Sequence, residues 1–326
     1  GGVVVLNPSK VIKKDTLYGK TIISQQTNGI LGSFSTSLYK SFEKGWFING
    51  QASYKNAGDF SARDYDLTNT GIRSKGLSLN TGFKNFDKGF DAYYSYLSNE
   101  LGILTASHIG NAADLVRAIN SNTPLTLDNF SFNINNPKQE VVHHLAKVNA
   151  YQRFKGLGKL SFQYDFQRNE RLEFDIRRGD DNDIAAADLL LTTHSFKTDM
   201  KLDANANQKH KIGVSGTYQN NFADPATGVR RLIPDYDKFN AGIYAVSEID
   251  FSDNLTLSAG IRYDFSHINA KKFYIKSRWE SLNYDEIFSD LIIEDAGLQY
   301  LTNPVFNYHN VSTSAGLVYN FNKTSS

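Results

Sequence analysis

Hydrophobic and polar residues alternate along this chain in long runs, most regularly over residues 255–268. Every second position from Leu255 to Phe265 is apolar, and the positions between them are polar or glycine. Because side chains alternate across a strand, this pattern predicts one β-strand with an apolar face and a polar face. The strand is much longer than the usual length of about 5–6 residues. Its apolar face ends in Tyr263 and Phe265, as is typical of a strand that faces lipid and carries an interfacial aromatic girdle.

The same alternation recurs from one end of the chain to the other and predicts twelve long strands. At about 3.3 Å per residue and a tilt of about 45°, twelve residues cover roughly 28 Å, close to the thickness of a membrane. The predicted strands cover residues 17–27, 30–42, 46–56, 72–86, 90–99, 141–154, 159–172, 189–202, 209–221, 238–251, 255–268 and 310–321.

The connections between these strands alternate between short turns and longer loops. Two loops have about 40 residues, near residues 100–139 and 269–309. In the first of them, Asn111 followed by Asp114 predicts the start of a short helix over residues 111–120. Alternating connections are typical of a transmembrane antiparallel β-barrel with short periplasmic turns and long extracellular loops. This all-β barrel is the predicted fold class, and a large soluble β-sandwich or solenoid is the alternative.

Composition agrees with a barrel and excludes several other classes. Mean hydropathy is only −0.42, as expected where lumen-facing and lipid-facing residues alternate. The net charge of +1 argues against a nucleic-acid partner, and the absence of cysteine excludes disulfides. The chain begins at Gly1 without a recognisable signal peptide, so we expect a processed chain or a fragment.

Several segments resemble TonB-dependent outer-membrane receptors, particularly those of the siderophore or iron-chelate type. Residues 1–6, Gly-Gly-Val-Val-Val-Leu, are similar to the strand that closes the plug domain of this family. The Gly-Ile-Arg-Tyr-Asp sequence at residues 260–264 resembles a recurring barrel strand. Loop segments similar to those of the family lie at residues 107–111, 136–144 and 227–234.

The resemblance implies a barrel of about 22 strands around a plug, of which this chain supplies about twelve. Residues 1–10 would then be the end of the plug domain, and residues 11–326 the N-terminal part of the barrel. It further implies uptake of a siderophore or other metal chelate across the bacterial outer membrane. The implied partners are the chelate, outer-membrane lipid and the TonB–ExbB–ExbD complex, which would act through a plug that this chain lacks.

Basic side chains in the predicted outer loops are the candidate ligand contacts, because arginine binds carboxylates in a bidentate manner. The alternative is that they are ordinary loop residues near an anionic cell surface. The candidates are His108, Arg117, Arg177, Arg178, Arg230 and Arg231.

Two other functions fit a barrel of about twelve strands. A passive outer-membrane porin would explain the alternation and the polar lumen, but not the plug-like segment. An outer-membrane lipase would need a nucleophile and a base, and the sequence has no Gly-x-Ser-x-Gly element. We therefore expect a protein that is not an enzyme and that has no catalytic residues, metal site or cofactor.

Overall fold

The computed structural model describes residues 14–107, 109–177, 179–203 and 207–321. Sixteen strands are present in this part of the chain, and twelve of them are eleven residues or longer. The long strands, which form the wall, are β1 (Thr16–Gln26), β2 (Leu31–Ser41), β3 (Trp46–Ala57), β6 (Ile72–Lys84), β7 (Lys88–Gly102), β8 (Lys138–Phe154), β9 (Gly158–Phe174), β10 (Ala187–Leu202), β11 (Gln208–Ala223), β12 (Asp235–Ser252), β13 (Leu255–Ile275) and β16 (Val305–Tyr319).

The wall is a single antiparallel sheet in which each long strand pairs with the next long strand along the chain. Thr16–Gln26 pairs with β2 alone, and Val305–Tyr319 pairs with β13 alone, so within the described residues both outer strands have one unpaired edge. The wall is therefore curved but not closed. The lengths of its strands range from 11 residues in β1 to 21 in β13.

The two faces of the wall differ in chemistry, as the alternation predicts. Side chains such as Leu79, Phe162 and Ile261 project from the outer face and are 43–56% exposed. Near the short turns, the Trp46 ring lies 5.4 Å from that of Phe83 and 5.7 Å from that of Phe90, which forms a lower aromatic cluster on this face. Large exposed apolar side chains are the expected surface of a strand that contacts lipid.

The inner face carries amides, hydroxyls and charged groups. Asp91 contacts Lys84 at 2.6 Å and accepts a hydrogen bond from Asn149 at 2.8 Å. Farther along the wall, Arg262 bonds Asp264 through Nε at 2.8 Å and donates to Ser215 at 3.1 Å. Lys84, Asp91 and Asn149 belong to the lining of a polar concavity of about 970 Å³, so this part of the inner face is suited to water or to a polar insert.

Five connections lie at the end of the wall opposite most of the short turns. We name them loops 1 to 5: residues 58–71, 103–137, 175–186, 224–234 and 276–304. Loop 1 contains a small hairpin of β4 (Phe60–Ser61) and β5 (Asp66–Leu67). Loop 2 contains the helix α1 (Ala112–Ile119), in which Asn111 Oδ1 accepts the backbone N–H of Asp114 at 3.0 Å, so the predicted N-cap is confirmed.

Loop 5 has the most structure of its own. It contains α2 (Lys276–Ser281), α3 (Tyr284–Ile287) and a hairpin of β14 (Ile292–Ala296) and β15 (Gln299–Thr302). This hairpin adds to the sheet, because β15 pairs with the last four residues of β13. In the part of the chain that the structure describes, no helix is both long enough and apolar enough to span a membrane.

All twelve predicted strands are present, but most extend farther toward the loops than predicted. The alternation in β13 stops at about Ile268, whereas the strand continues to Ile275. Apolar and polar residues alternate only where one face of the strand contacts lipid. Hydrogen bonding between strands needs only backbone groups, so a strand can continue beyond the alternating segment. The predicted plug segment, residues 1–10, lies outside the described residues.

Candidate functional site

A cavity of about 450 Å³ opens between loops 4 and 5 at the loop end of the wall. Its lining has four basic and no acidic side chains, together with three large aromatic rings and three aliphatic side chains. The lining residues are Arg230, Arg231, Leu232, Lys272, Tyr274, Ile275, Arg278, Trp279, Leu282 and Tyr284.

Trp279 of α2 is the centre around which this part of loop 5 folds. Its side chain is 2% exposed, and its ring makes edge contacts with Tyr274 at 5.2 Å, Tyr284 at 5.3 Å and Tyr300 at 6.1 Å. Burial of a large aromatic residue supplies enough apolar area to order a short helix that would not form alone. The Nε1 of Trp279 is buried and has no hydrogen-bond partner among the described residues.

An ion pair attaches the same helix to the hairpin of loop 5. The Lys276 ammonium contacts the Asp295 carboxylate at 2.5 Å and lies 4.8 Å from the ring centre of Tyr300. The hydrogen bond from Lys276 lowers the pKa of the Asp295 carboxyl below its usual value. Loop 5 is thus held in place by an aromatic cluster and by this ion pair.

The basic groups of the cavity differ in how they are neutralised. Arg231 contacts Asp235 at 2.7 Å, and its guanidinium lies 5.9 Å from the ring centre of Phe273. Arg230, Lys272 and Arg278 have no carboxylate within ion-pair distance among the described residues. Three uncompensated cations beside aromatic rings produce a positive potential in a partly enclosed space, which favours an anionic ligand with flat or apolar parts.

The structure brings two of the six candidate residues together, since Arg230 and Arg231 both line the cavity. Arg117 lies on α1 in loop 2 and pairs with Asp114 at 3.0 Å. Arg177 donates to the carbonyl oxygens of Thr227 and Ala185, each at 3.1 Å, and so connects loop 3 to loop 4. His108 and Arg178 lie outside the described residues, and the role of all six in ligand binding stays a prediction.

Sequence reasoning missed Lys272, Tyr274, Arg278, Trp279 and Tyr284. The signal that could have found them is the density of basic and aromatic residues over 271–284. That segment is part of the loop predicted near residues 269–309, and the sequence does not indicate which of its side chains converge. Among the described residues, no three His, Cys, Asp or Glu side chains converge as they would in a metal site.

Comparison with solved structures finds the same architecture in several transport proteins. The open form of the ferric-catecholate import receptor Fiu from E. coli K12 matches with a TM-score of 0.65 and 10% identity, over 97% of this chain and 54% of that one. The siderophore receptor PiuA from Acinetobacter baumannii gives 0.64 and 12%, over 97% and 48%. The copper transporter OprC gives 0.67 and 8%, over 97% and 44%. At these identities the likeness establishes the fold alone, and this chain spans about half the length of each of the three.

Comparison with curated proteins gave no match. A family model, described as the TonB dependent receptor-like β-barrel, matches residues 23–326 and thus nearly the whole wall. Members of this family are transport receptors of the bacterial outer membrane, which agrees with the apolar outer face, the polar inner face and the structured loops at one end. The chain therefore belongs to the TonB-dependent receptor β-barrel family.

Proposed function

We propose that this chain forms the first half of the barrel of a receptor that takes up an anionic metal chelate across the outer membrane. The observation that carries the proposal is the cavity between loops 4 and 5. Siderophores and related chelates commonly combine metal-bound oxygen anions with flat or apolar groups, and the cavity offers arginine, lysine and aromatic rings.

The open wall supports the proposal that further strands complete the barrel. Backbone groups of β1 and β16 along their unpaired edges would cost several kcal/mol each in hydrocarbon, so additional strands are needed to pair with them. The polar inner concavity of about 970 Å³ would then face a plug domain, to which residues 1–10 would belong. The TonB–ExbB–ExbD complex would supply energy through that plug.

Charge-selective binding tests the cavity directly. In the complete receptor, Arg230→Gln, Lys272→Gln and Arg278→Gln combined should weaken binding of a negatively charged ferric tris-catecholate by about tenfold or more. Binding of a neutral ferric tris-hydroxamate should change little. Lys271→Gln is the matched control, because Lys271 is exposed, adjoins Lys272 and is absent from the cavity lining. Unchanged binding of the catecholate in the triple variant would exclude this cavity as the capture site.

Energy dependence separates the proposed receptor from a passive porin. Uptake of the chelate by intact cells should stop when the inner-membrane proton gradient is dissipated, while binding at the cell surface continues. Uptake that persists without the gradient would favour a porin.

A further inference from the structure

The side chain of Arg177 in loop 3 binds the backbone at two places that are far apart in the sequence. Its Nη2 donates to the carbonyl oxygen of Ala185, near the end of the same loop, at 3.1 Å. Its Nη1 donates to the carbonyl oxygen of Thr227 in loop 4, also at 3.1 Å. A planar guanidinium suits this arrangement, because its donors point in fixed directions and a charged donor makes the stronger hydrogen bond. Arg177 is absent from the lining of the cavity.

Loop 3 is itself anchored to its surroundings. The backbone N–H of Ala186 donates to the carbonyl oxygen of Glu173 at 2.6 Å, which attaches the end of the loop to β9. The carbonyl oxygen of Asn182 accepts a hydrogen bond from the side chain of Asn136 in loop 2 at 2.7 Å. Arg177 therefore extends from a segment that is held at two further points, so its bond to Thr227 can restrain loop 4.

The partner of Arg177 in loop 4 belongs to a compact turn. Thr227 is 6% exposed, and its hydroxyl donates to the carbonyl oxygen of Asp224 at 3.2 Å. The same hydroxyl accepts the N–H of Val229 at 3.3 Å, and the N–H of Gly228 donates to the carbonyl oxygen of Pro225 at 3.1 Å. Because these bonds make residues 224–229 one unit, a contact that holds the Thr227 carbonyl holds the whole turn.

Arg230 follows this turn directly and depends on its neighbours for its position. In the part of the chain that the structure describes, the Arg230 side chain makes no hydrogen bond or ion pair of its own. On its other side, Arg231 contacts Asp235 at 2.7 Å, and the second carboxylate oxygen of Asp235 accepts the N–H of Ala223 at 2.7 Å. Arg230 thus lies between one segment fixed by Asp235 and another fixed by Arg177.

The restraint on loop 4 has a direct consequence for affinity. A cation on a loop that samples several positions contacts a ligand only in the fraction of molecules whose loop is in place, and the apparent affinity falls by that fraction. A loop that is already held in the binding position loses less conformational freedom when the ligand binds. Arg177 can therefore strengthen binding in the cavity without touching the ligand.

We propose that Arg177 is a positioning residue, which holds loop 4 so that Arg230 lines the cavity. This role differs from the direct ligand contact that the sequence predicts for Arg177. The proposal rests on the proposed function, because it takes the cavity between loops 4 and 5 as the site of an anionic chelate.

Hydrogen exchange tests the hold on loop 4 without any ligand. In the complete receptor, Arg177→Met should speed exchange at the amides of Gly228 and Val229 by about fivefold or more, because the turn loses its attachment to loop 3. Arg171→Met is the matched control, since Arg171 lies at the same end of the wall, pairs with Glu173 of its own strand and is absent from the cavity lining. Unchanged exchange in Arg177→Met would overturn the proposal.

A double-mutant cycle tests whether Arg177 acts through Arg230. The probe is a negatively charged ferric tris-catecholate. Arg177→Met and Arg230→Gln should each weaken its binding by about fivefold, and the two combined should still weaken it by about fivefold. Additive effects, about 25-fold in the double variant, would show that Arg177 contacts the ligand independently and would overturn the proposal. Unchanged binding in Arg230→Gln alone would refute the proposed function, while faster exchange in Arg177→Met would still support its hold on loop 4.

Discussion

The carboxylate of Asp59 accepts the backbone N–H of Ser131 at 3.1 Å, across 72 positions of sequence. Its second oxygen accepts the N–H of Thr70 at 2.9 Å, and the residue is 2% exposed. Asn69 extends the connection, since its side chain donates to the Pro137 carbonyl at 2.8 Å. Buried side chains of loop 1 therefore form hydrogen bonds with backbone groups of loop 2, and the two loops form one structural unit.

Removal of the Asp59 carboxylate should separate these loops. Asp59→Ala leaves two backbone N–H groups without their acceptor, and each unsatisfied buried group costs about 1–3 kcal/mol. We expect faster hydrogen exchange at Thr70 and Ser131 and faster proteolysis within loop 2, with the wall unchanged. Asp64→Ala is the control, because that side chain is 79% exposed in the same loop. Equal rates of hydrogen exchange and proteolysis in the two variants would show that Asp59 does not hold the loops together.

Two glycines with different constraints lie between β8 and β9: Gly156 in the turn and Gly158 at the first position of β9. Gly158 has φ of 137°, and a Cβ there would lie 2.1 Å from the Lys201 carbonyl oxygen of β10. Gly156 has φ of 72° and open space around it. Gly158→Ala should therefore impair assembly of the barrel, whereas Gly156→Asn should be tolerated, because asparagine adopts left-handed backbone conformations. Heat-modifiable gel mobility measures the folded fraction. Similar folded fractions for the two variants would contradict this account.

The Lys276–Asp295 ion pair should make loop 5 sensitive to acid but not to mild changes in pH. Because Lys276 lowers the pKa of Asp295, the pair stabilises the folded loop above the usual aspartate pKa of about 3.9. That contribution is lost as the pH falls through the lowered pKa. Hydrogen exchange of the β14–β15 hairpin should thus be constant from neutral pH to about pH 4, after correction for intrinsic rates, and rise below it. Lys276→Met should abolish this dependence, and a wild-type rise near pH 6 would point to another group.

Single cysteines report the orientation of the wall, since the sequence contains none of its own. Asp128→Cys in loop 2 and Ser281→Cys in loop 5 should react with an impermeant maleimide on intact cells. Lys88→Cys, at the first residue of β7 beside a short turn, should react only after the outer membrane is permeabilised. All three positions are exposed, so reactivity depends on the side of the membrane. The opposite pattern would invert the assigned topology.

The strands and their faces were predictable because lipid on one side and the lumen on the other make apolar and polar residues alternate along each strand. Arg262 and Asp264 illustrate this, since their shared inward face and mutual contact both follow from their spacing. The adjacent histidines illustrate it as well: the alternation separates His143 from His144, which contact Asn169 and Tyr94 on opposite faces. The outer ends of the strands were predicted too short, because no lipid imposes alternation above the membrane.

The cavity was only half predictable. Arg230 and Arg231 stood out as a basic pair, but Lys272 and Arg278 join them through the pairing of β15 with β13 and the burial of Trp279. Such contacts between distant positions leave no periodic signal in a sequence. The contacts of Tyr94 with His144, Tyr164 with His194 and Tyr263 with His309 are similar: each partner is an ordinary girdle residue, and only the register of neighbouring strands shows that the two meet.

The longest strand of the wall, β13, lies near the end of the chain that carries loop 5. β13 has ten residues more than β1, a difference of roughly 23 Å along the membrane normal at a tilt of about 45°. The turn at Gly297 joins β14 to β15, which pairs with the end of β13, and Leu298 beside the turn is 85% exposed. Its exposure makes this turn accessible to large particles that approach the cell, such as antibodies or phages. The Gly297 turn is thus a natural position for an epitope tag that reports surface display without entering the cavity.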